Sequence, residues 1–388
     1  MKLGTTLASV VVLILCLSSC GGNSSPAPTT SGVKPRAFVS NSVLGVLQII
    51  DAKHDGIVSG HQISVGSQPT LMALPPNKQT TLVFDAGSNS VSVVNNSKES
   101  QTVSIPLPGS TESMAVAPNN NFAYAAVPSA TVLGQQAGVV QVLNLVANTA
   151  GATLNIPQAH WIVLNHNGRK MLVFGDNSDN VTIVDTSQIG VGNPYTTVSL
   201  DPGRRPVWGV FSDDDSTAYI MDCGSECGGV SAGVTVLNMS NNMVGNTVDV
   251  SGATKGLLDS GNLYVAGSAS GGGTLQVVKV SSMTASAPVT ISGGYHYLMA
   301  LASNNKLIIG ARNCVTNGCL SVFDTGTSSV FVDAPAGDVT GMQPIVNRNV
   351  AYVIEGGELR VIDTTTGRFS TDIFIDIVGQ AFDVKEVD

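Results

Sequence analysis

The chain has 388 residues and a net charge of −9, with 43% hydrophobic, 12% charged and only 5% aromatic residues. That acidic balance speaks against nucleic acid and anionic lipid headgroups as partners, because both require a basic face. Abundant Gly, Ser, Thr, Asn and Val in short apolar runs, with no long amphipathic helical pattern, point to an all-β chain large enough for a substantial core.

In chain order, the first element is an address. Lys2 is followed by an apolar run from Leu7 to Leu17 that is too short to cross a bilayer as a helix. The run ends in Leu17-Ser18-Ser19-Cys20, which resembles the lipobox of bacterial lipoproteins, although Ser19 stands where Gly or Ala is usual. The resemblance implies a signal peptide over residues 1–19 and a lipid-modified Cys20 at the mature N-terminus, with a plain secretory signal as the alternative. Several acyl chains on one cysteine anchor stably, at about 0.8 kcal/mol per buried CH₂. Gly21, with no Asp in that place, resembles an outer-membrane sorting signal. Residues 20–33 are uncharged and rich in Gly, Ser, Pro and Thr, and read as a flexible tether. No second apolar stretch of about twenty residues follows, so the membrane is expected to be reached through the lipid alone.

Residues 34–388 read as one repeat domain. The stretch from Thr80 to Asn121 shows the unit: strands at Thr81–Phe84, Val91–Val94, Thr102–Ile105 and Met114–Val116, separated by Asn, Ser, Gly and Pro turns. Its last strand, an apolar triplet before a polar turn, recurs with its final apolar residue at Leu74, Val116, Val163, Val210, Leu257, Leu301, Ile345 and Val384. The intervals are 42, 47, 47, 47, 44, 44 and 39 residues, the period of four-stranded propeller blades. Runs such as Ala218-Tyr219-Ile220 and Ala351-Tyr352-Val353 follow each turn, and Val181–Asp185 and Leu359–Asp363 supply the alternating strands. This pattern, closest in Gly356–Gly367, resembles the YVTN-type β-propeller repeat over nearly all of the mature chain. Seven blades are common in such families, whereas the count here favours eight. The resemblance implies that a strand near Arg36 and one near Phe382 meet in one blade and close the ring.

Four cysteines fall in two close pairs, Cys223 with Cys227 and Cys314 with Cys319. In an oxidising envelope, two local disulfides are expected, with a metal site or free thiols as alternatives; a metal site needs four gathered ligands, and no His lies near either pair. Gly229-Val230-Ser231-Ala232-Gly233 has the spacing of a nucleophile elbow but precedes a strand where a helix is required, so it reads as a loop. Asp213-Asp214-Asp215 and residues 175–180 occupy recurring turn positions and read as turns before they read as cation sites.

The informative set lies at or just before the innermost strands: Glu112, His160, Trp161, Arg205, Trp208, Lys255, Tyr295, His296 and Tyr297. In a propeller these positions converge on the axial opening, where polar groups beside aromatics suit a small ligand; inter-blade packing with solvated charges is the alternative. The insertion from Ala126 to Gly138 would share that face, as a partner-contact loop or merely as a disordered tip. The expected function is a non-enzymatic binding or scaffolding module of the bacterial envelope, monomeric, without cofactor or metal, whose partner is an envelope protein, a small ligand or a glycan. The alternative is a propeller enzyme with an axial active site, such as a lactone hydrolase or a dehydrogenase-like protein.

Overall fold

Eight antiparallel sheets, each one blade, account for the strands of the computed structural model, which describes residues 30–270, 272–315, 318–371, 373 and 375–388. The signal segment and Cys20 lie outside the described residues. Blade 1 combines Arg36–Asn41, Val46–Asp51 and Gly56–Ser64 with the last strand of the chain, Ala381–Glu386. Blades 2 to 8 follow in sequence, with innermost strands Pro69–Ala73, Ser113–Val116, Ala159–Leu164, Pro206–Phe211, Lys255–Asp259, Tyr295–Ala302 and Val339–Pro344. In blade 6 the outermost strand is split into Thr284–Ala285 and Val289–Ile291, both paired with Gly272–Lys279. Pro288, which has no N–H to give to a ladder, stands at the break. The sequence period therefore resolves at eight blades and not seven.

The strands form as they do because the two middle strands of each blade are buried on both faces. Thr80–Asp85 and Ser90–Asn95 are almost wholly buried, whereas the outermost strand Thr149–Asn155 exposes all but one residue. Doubly buried strands read as continuous apolar runs. Turns rely on asparagine in the left-handed region, as at Asn89 (φ 46°), Asn120 (φ 62°) and Asn304 (φ 57°).

The core is distributed around the ring. One apolar cluster lies at every blade interface, for example Leu82, Phe84 and Val91 of blade 2 against Ala123, Ala125 and Leu143 of blade 3. Each innermost strand contacts the next all the way round, including Ala381–Glu386 against both Val339–Pro344 and Pro69–Ala73. Closure is by backbone pairing, with Ala37 opposite Glu386, Phe38 opposite Lys385 and Val39 opposite Val384. The Arg36 guanidinium reinforces it with hydrogen bonds to Asp388, Nε to Oδ2 at 2.8 Å, and an ion pair to Glu99. Ser31 donates to the same Glu99 through its backbone N–H at 2.5 Å.

The strand directions define two faces. Innermost strands start, and second strands end, on the face called here the mouth; the turns after innermost strands lie on the opposite face. Both cysteine pairs sit at disulfide distance in second-to-third-strand connections of blades 5 and 7, with Cα separations of 5.7 and 5.6 Å. The long insertion, between Phe122–Val127 and Val139–Asn144, is tied down by its own cluster of Val127, Ala130 and Val139. All three elaborations belong to the mouth face.

Candidate functional site

The mouth ends of the innermost strands share a departure from regular pairing. In six blades the innermost strand carries one extra residue against its neighbour, a β-bulge close to the mouth. The unpaired residues include His160, Val207, Tyr297 and Thr340. A bulge breaks the strict alternation of a strand and re-aims a side chain; here Tyr297 and Thr340 line one hollow at the mouth, and His160 and Val207 line another beside it. Blades 3 and 6, without a bulge, supply Glu112 and Lys255 instead.

The mouth ends of the innermost strands enclose an axial cavity of about 430 Å³, lined from all eight innermost strands or the residues that lead into them. A second hollow of about 340 Å³, the vestibule, adjoins it and shares Trp161 and Arg312. Larger hollows of about 620 and 520 Å³ lie between loops of blades 1 and 2 and between turns of blades 7 and 8, where no comparable set of groups converges.

Across the mouth runs a chain of charges. Asp176 Oδ1 lies 2.7 Å from His160 Nδ1, His160 Nε2 lies 3.4 Å from Glu112 Oε2, and the same oxygen accepts from Arg312 at 2.7 Å. Blades 3 and 7 are opposite each other in the ring, so the Glu112–Arg312 pair, 200 residues apart in sequence, bars the opening. Burial opposes charge on His160, but its hydrogen bonds to Asp176 and then Glu112 outweigh it and raise its pKa to about 9. The His160 hydrogen bond, followed by that of Arg312, holds Glu112 down at about 2. Among the described residues no three His, Cys, Asp or Glu side chains gather in an arrangement suited to a metal ion.

Beneath this bar the walls are aromatic. Trp161 stacks on His160 with centroids 4.8 Å apart and meets Trp208 edge-on at 6.4 Å and Tyr297 at 6.5 Å. The Tyr297 hydroxyl donates to the Val339 carbonyl at 2.5 Å, which fixes the ring against blade 8. Arg312 lies over both Tyr295 and Tyr297, at 5.3 and 5.0 Å from their centroids. Lys255 places its Nζ 3.0 Å from the centroid of the Trp208 ring. The surface Lys255 retains opens into the cavity, and burial drives its pKa well below the ordinary value.

Of the sequence-derived set, Glu112, Trp161, Trp208, Lys255 and Tyr297 line the axial cavity, and His160, Arg205 and Tyr295 line the vestibule. Arg205 is engaged at the rim, its Nη1 3.1 Å from both Asp179 Oδ1 and the Asn177 carbonyl. His296 is not brought to the opening: it is fully buried, its Nε2 2.9 Å from the Ser292 carbonyl, and burial lowers its pKa to about 4. The structure adds Arg312, Asp176, Asp383 and Lys385, which the sequence reading did not select. Arg312 and Asp176 sit at or just past the ends of second strands, and strand direction alone puts those positions on the mouth face. The G-x-S-x-G stretch lies in a loop that leads into the strand Gly233–Asn238, with no helix after it, as its context required.

No family model matches the chain, and no curated protein matches it in sequence. Solved structures share its architecture. The dihydro-heme d1 dehydrogenase NirN, in complex with DHE, superposes with a TM-score of 0.68 at 10% identity, covering 93% of this chain and 77% of that one. A functionally unknown protein from Desulfotomaculum acetoxidans gives 0.54 at 15% identity, covering 78% of this chain and 99% of its own. The periplasmic gluconolactonase PpgL of Pseudomonas aeruginosa gives 0.52 at 15% identity, covering 91% and 99% respectively. At these identities the likeness establishes the propeller fold and carries no activity with it.

Proposed function

We propose that this chain is an envelope-tethered lipoprotein whose propeller binds a small organic ligand in its axial cavity without transforming it. The observation that carries the reading is the cavity itself: about 430 Å³, aromatic-walled, with a few convergent polar groups contributed around the whole ring. That volume and composition are those of small-ligand sites. The bulges support it, because each gives up regular pairing at the one place where a side chain is turned inward. His160 and Glu112, the groups an acid–base mechanism would draw on, are both tied to ionic partners, which favours binding over chemistry.

The tether rests on the Leu17–Cys20 motif, and the two cysteine pairs at disulfide distance fit an extracytoplasmic compartment. Among the described residues no helix is long and apolar enough to cross a membrane. The described chain leads into Arg36 on the face opposite the mouth, and an envelope protein docking on the insertion of blade 3 would meet the mouth face.

Both tryptophans of the chain line the cavity, so their emission reports its occupancy. Titration with the low-molecular-weight fraction of envelope extract is expected to change the emission saturably and to raise the melting temperature. The Trp208→Ala variant, with its own melting curve as the folding control, is expected to show neither response. An extract that leaves the emission and melting temperature of the wild type unchanged would contradict the reading.

A further inference from the structure

The axial cavity holds one amine to which the protein gives no acidic partner. Its charged lining residues are Glu112, Lys255, Arg312, Asp383 and Lys385. Arg312 is paired with Glu112 at 2.7 Å, and Lys385 with Asp383 at 2.8 Å. Asp383 is further fixed by the backbone N–H groups of Met72 and Val384, each at 2.8 Å. At the rim, the charge on His160 is met by Asp176. Lys255 alone has neither a carboxylate nor a hydrogen-bond acceptor among the described residues; its amine rests on the face of Trp208 and opens into the cavity.

We propose that the ligand is a monoanion whose acidic group, a carboxylate or its equivalent, sits on Lys255 while its apolar body lies against Trp161, Trp208 and Tyr297. This deepens the ligand-binding reading above and rests on it. Charge arithmetic selects the class. A neutral ligand leaves the desolvated amine without a partner and favours its uncharged form, whereas an acidic group supplies the counter-ion that restores its charge. A dianion brings a second negative charge that no free cation in the cavity meets, since Arg312 and Lys385 are already engaged. The whole-molecule charge of −9 repels anions at long range, so recognition has to come from this local group and not from steering. An ammonium is a compact point charge that accepts carboxylates in many orientations, and the aromatic walls then select the body attached to the acid.

The test uses pairs of probes matched in shape and differing in charge on the full mature chain in detergent: 3-phenylpropionate against 3-phenylpropanamide, and hexanoate against hexanamide, followed by tryptophan emission. Each acid is expected to bind about tenfold or more tightly than its amide, the advantage of a charge-assisted hydrogen bond. In Lys255→Met, which keeps an unbranched apolar stem without the amine, the preference is expected to vanish while amide binding persists. Equal affinity of acid and amide in the wild type would overturn the proposal and leave the cavity a binding site for neutral ligands. A preference that survives in Lys255→Met would overturn it by placing the acid elsewhere. No response to any of the four probes would count against both the charge assignment and the underlying reading. If Lys255→Met fails to fold, the acid-to-amide ratio in the wild type decides alone.

Discussion

His160 sits between two carboxylates, and its position gives the mouth a defined pH window. Its folded pKa of about 9 lies above the ordinary 6.5, so its stabilising contribution is complete below pH 6.5 and is lost as pH rises through 9. Glu112, held at about 2 against 4.5, contributes above pH 4.5 and loses its contribution as pH falls through 2. Burial raises Asp85 to about 6, and Asp222, Glu226 and Glu355 each to about 7, in every case as the largest cause. These four also favour the protonated folded state, so their contributions fade between the ordinary carboxylate range and pH 7. The melting temperature is therefore expected to peak on the mildly acidic side and fall towards pH 9. His160→Gln is expected to flatten the fall between pH 7 and 9 and to leave the fall below pH 7 in place. A wild-type profile that rises from pH 5 to 9 would contradict these assignments.

Much of this residue set was legible in the sequence. The period places Glu112, Trp161, Trp208, Lys255 and Tyr297 at one end of the innermost strands, and the cavity gathers all five. Arg312 escaped because its partner Glu112 is 200 residues away across the ring, a contact no local pattern encodes. His296 marks the opposite error: it pairs regularly with Ala311, just ahead of the bulge at Tyr297, and is buried against the Ser292 carbonyl instead of reaching the opening.

At the scale of elements, the second-to-third-strand connections carry most of the variation. In blade 2 the connection is a tight turn in which Asp85, Ser88 and Ser90 bond among themselves, whereas in blades 5 and 7 it carries a cysteine pair. Closing such short loops restricts the unfolded chain, so each bridge is expected to contribute about 2 kcal/mol. Reduction is therefore expected to lower the denaturant midpoint without changing the far-ultraviolet spectrum of the folded state. Thiol labelling of Cys223 or Cys319 without reductant would contradict the pairing. The pairs were readable from their spacing. The bulges were not, because an extra residue in a strand of six leaves hydrophobic periodicity almost unchanged.

At the scale of the molecule, the ring explains how an acidic, weakly charged chain with few aromatic residues builds an axial cavity. Each interface between blades has its own apolar cluster, so no central core is needed and the axis is left free. Both tryptophans and one unbalanced lysine meet there, drawn from blades 4, 5 and 6. The eightfold count followed from the spacing of the repeat, whereas the closure of Arg36–Asn41 against Ala381–Glu386 was what the resemblance to a propeller repeat implied. The occupant of the axis did not, because it depends on which side chains remain unpaired after the ring closes. Native mass spectrometry of the full chain isolated from its own envelope addresses that occupant directly. The expected result is a mature chain beginning at a lipid-modified Cys20 that carries one small non-covalent adduct, the adduct being absent from Trp208→Ala. A wild-type chain that flies bare, indistinguishable from Trp208→Ala apart from the substitution itself, would contradict the central claim.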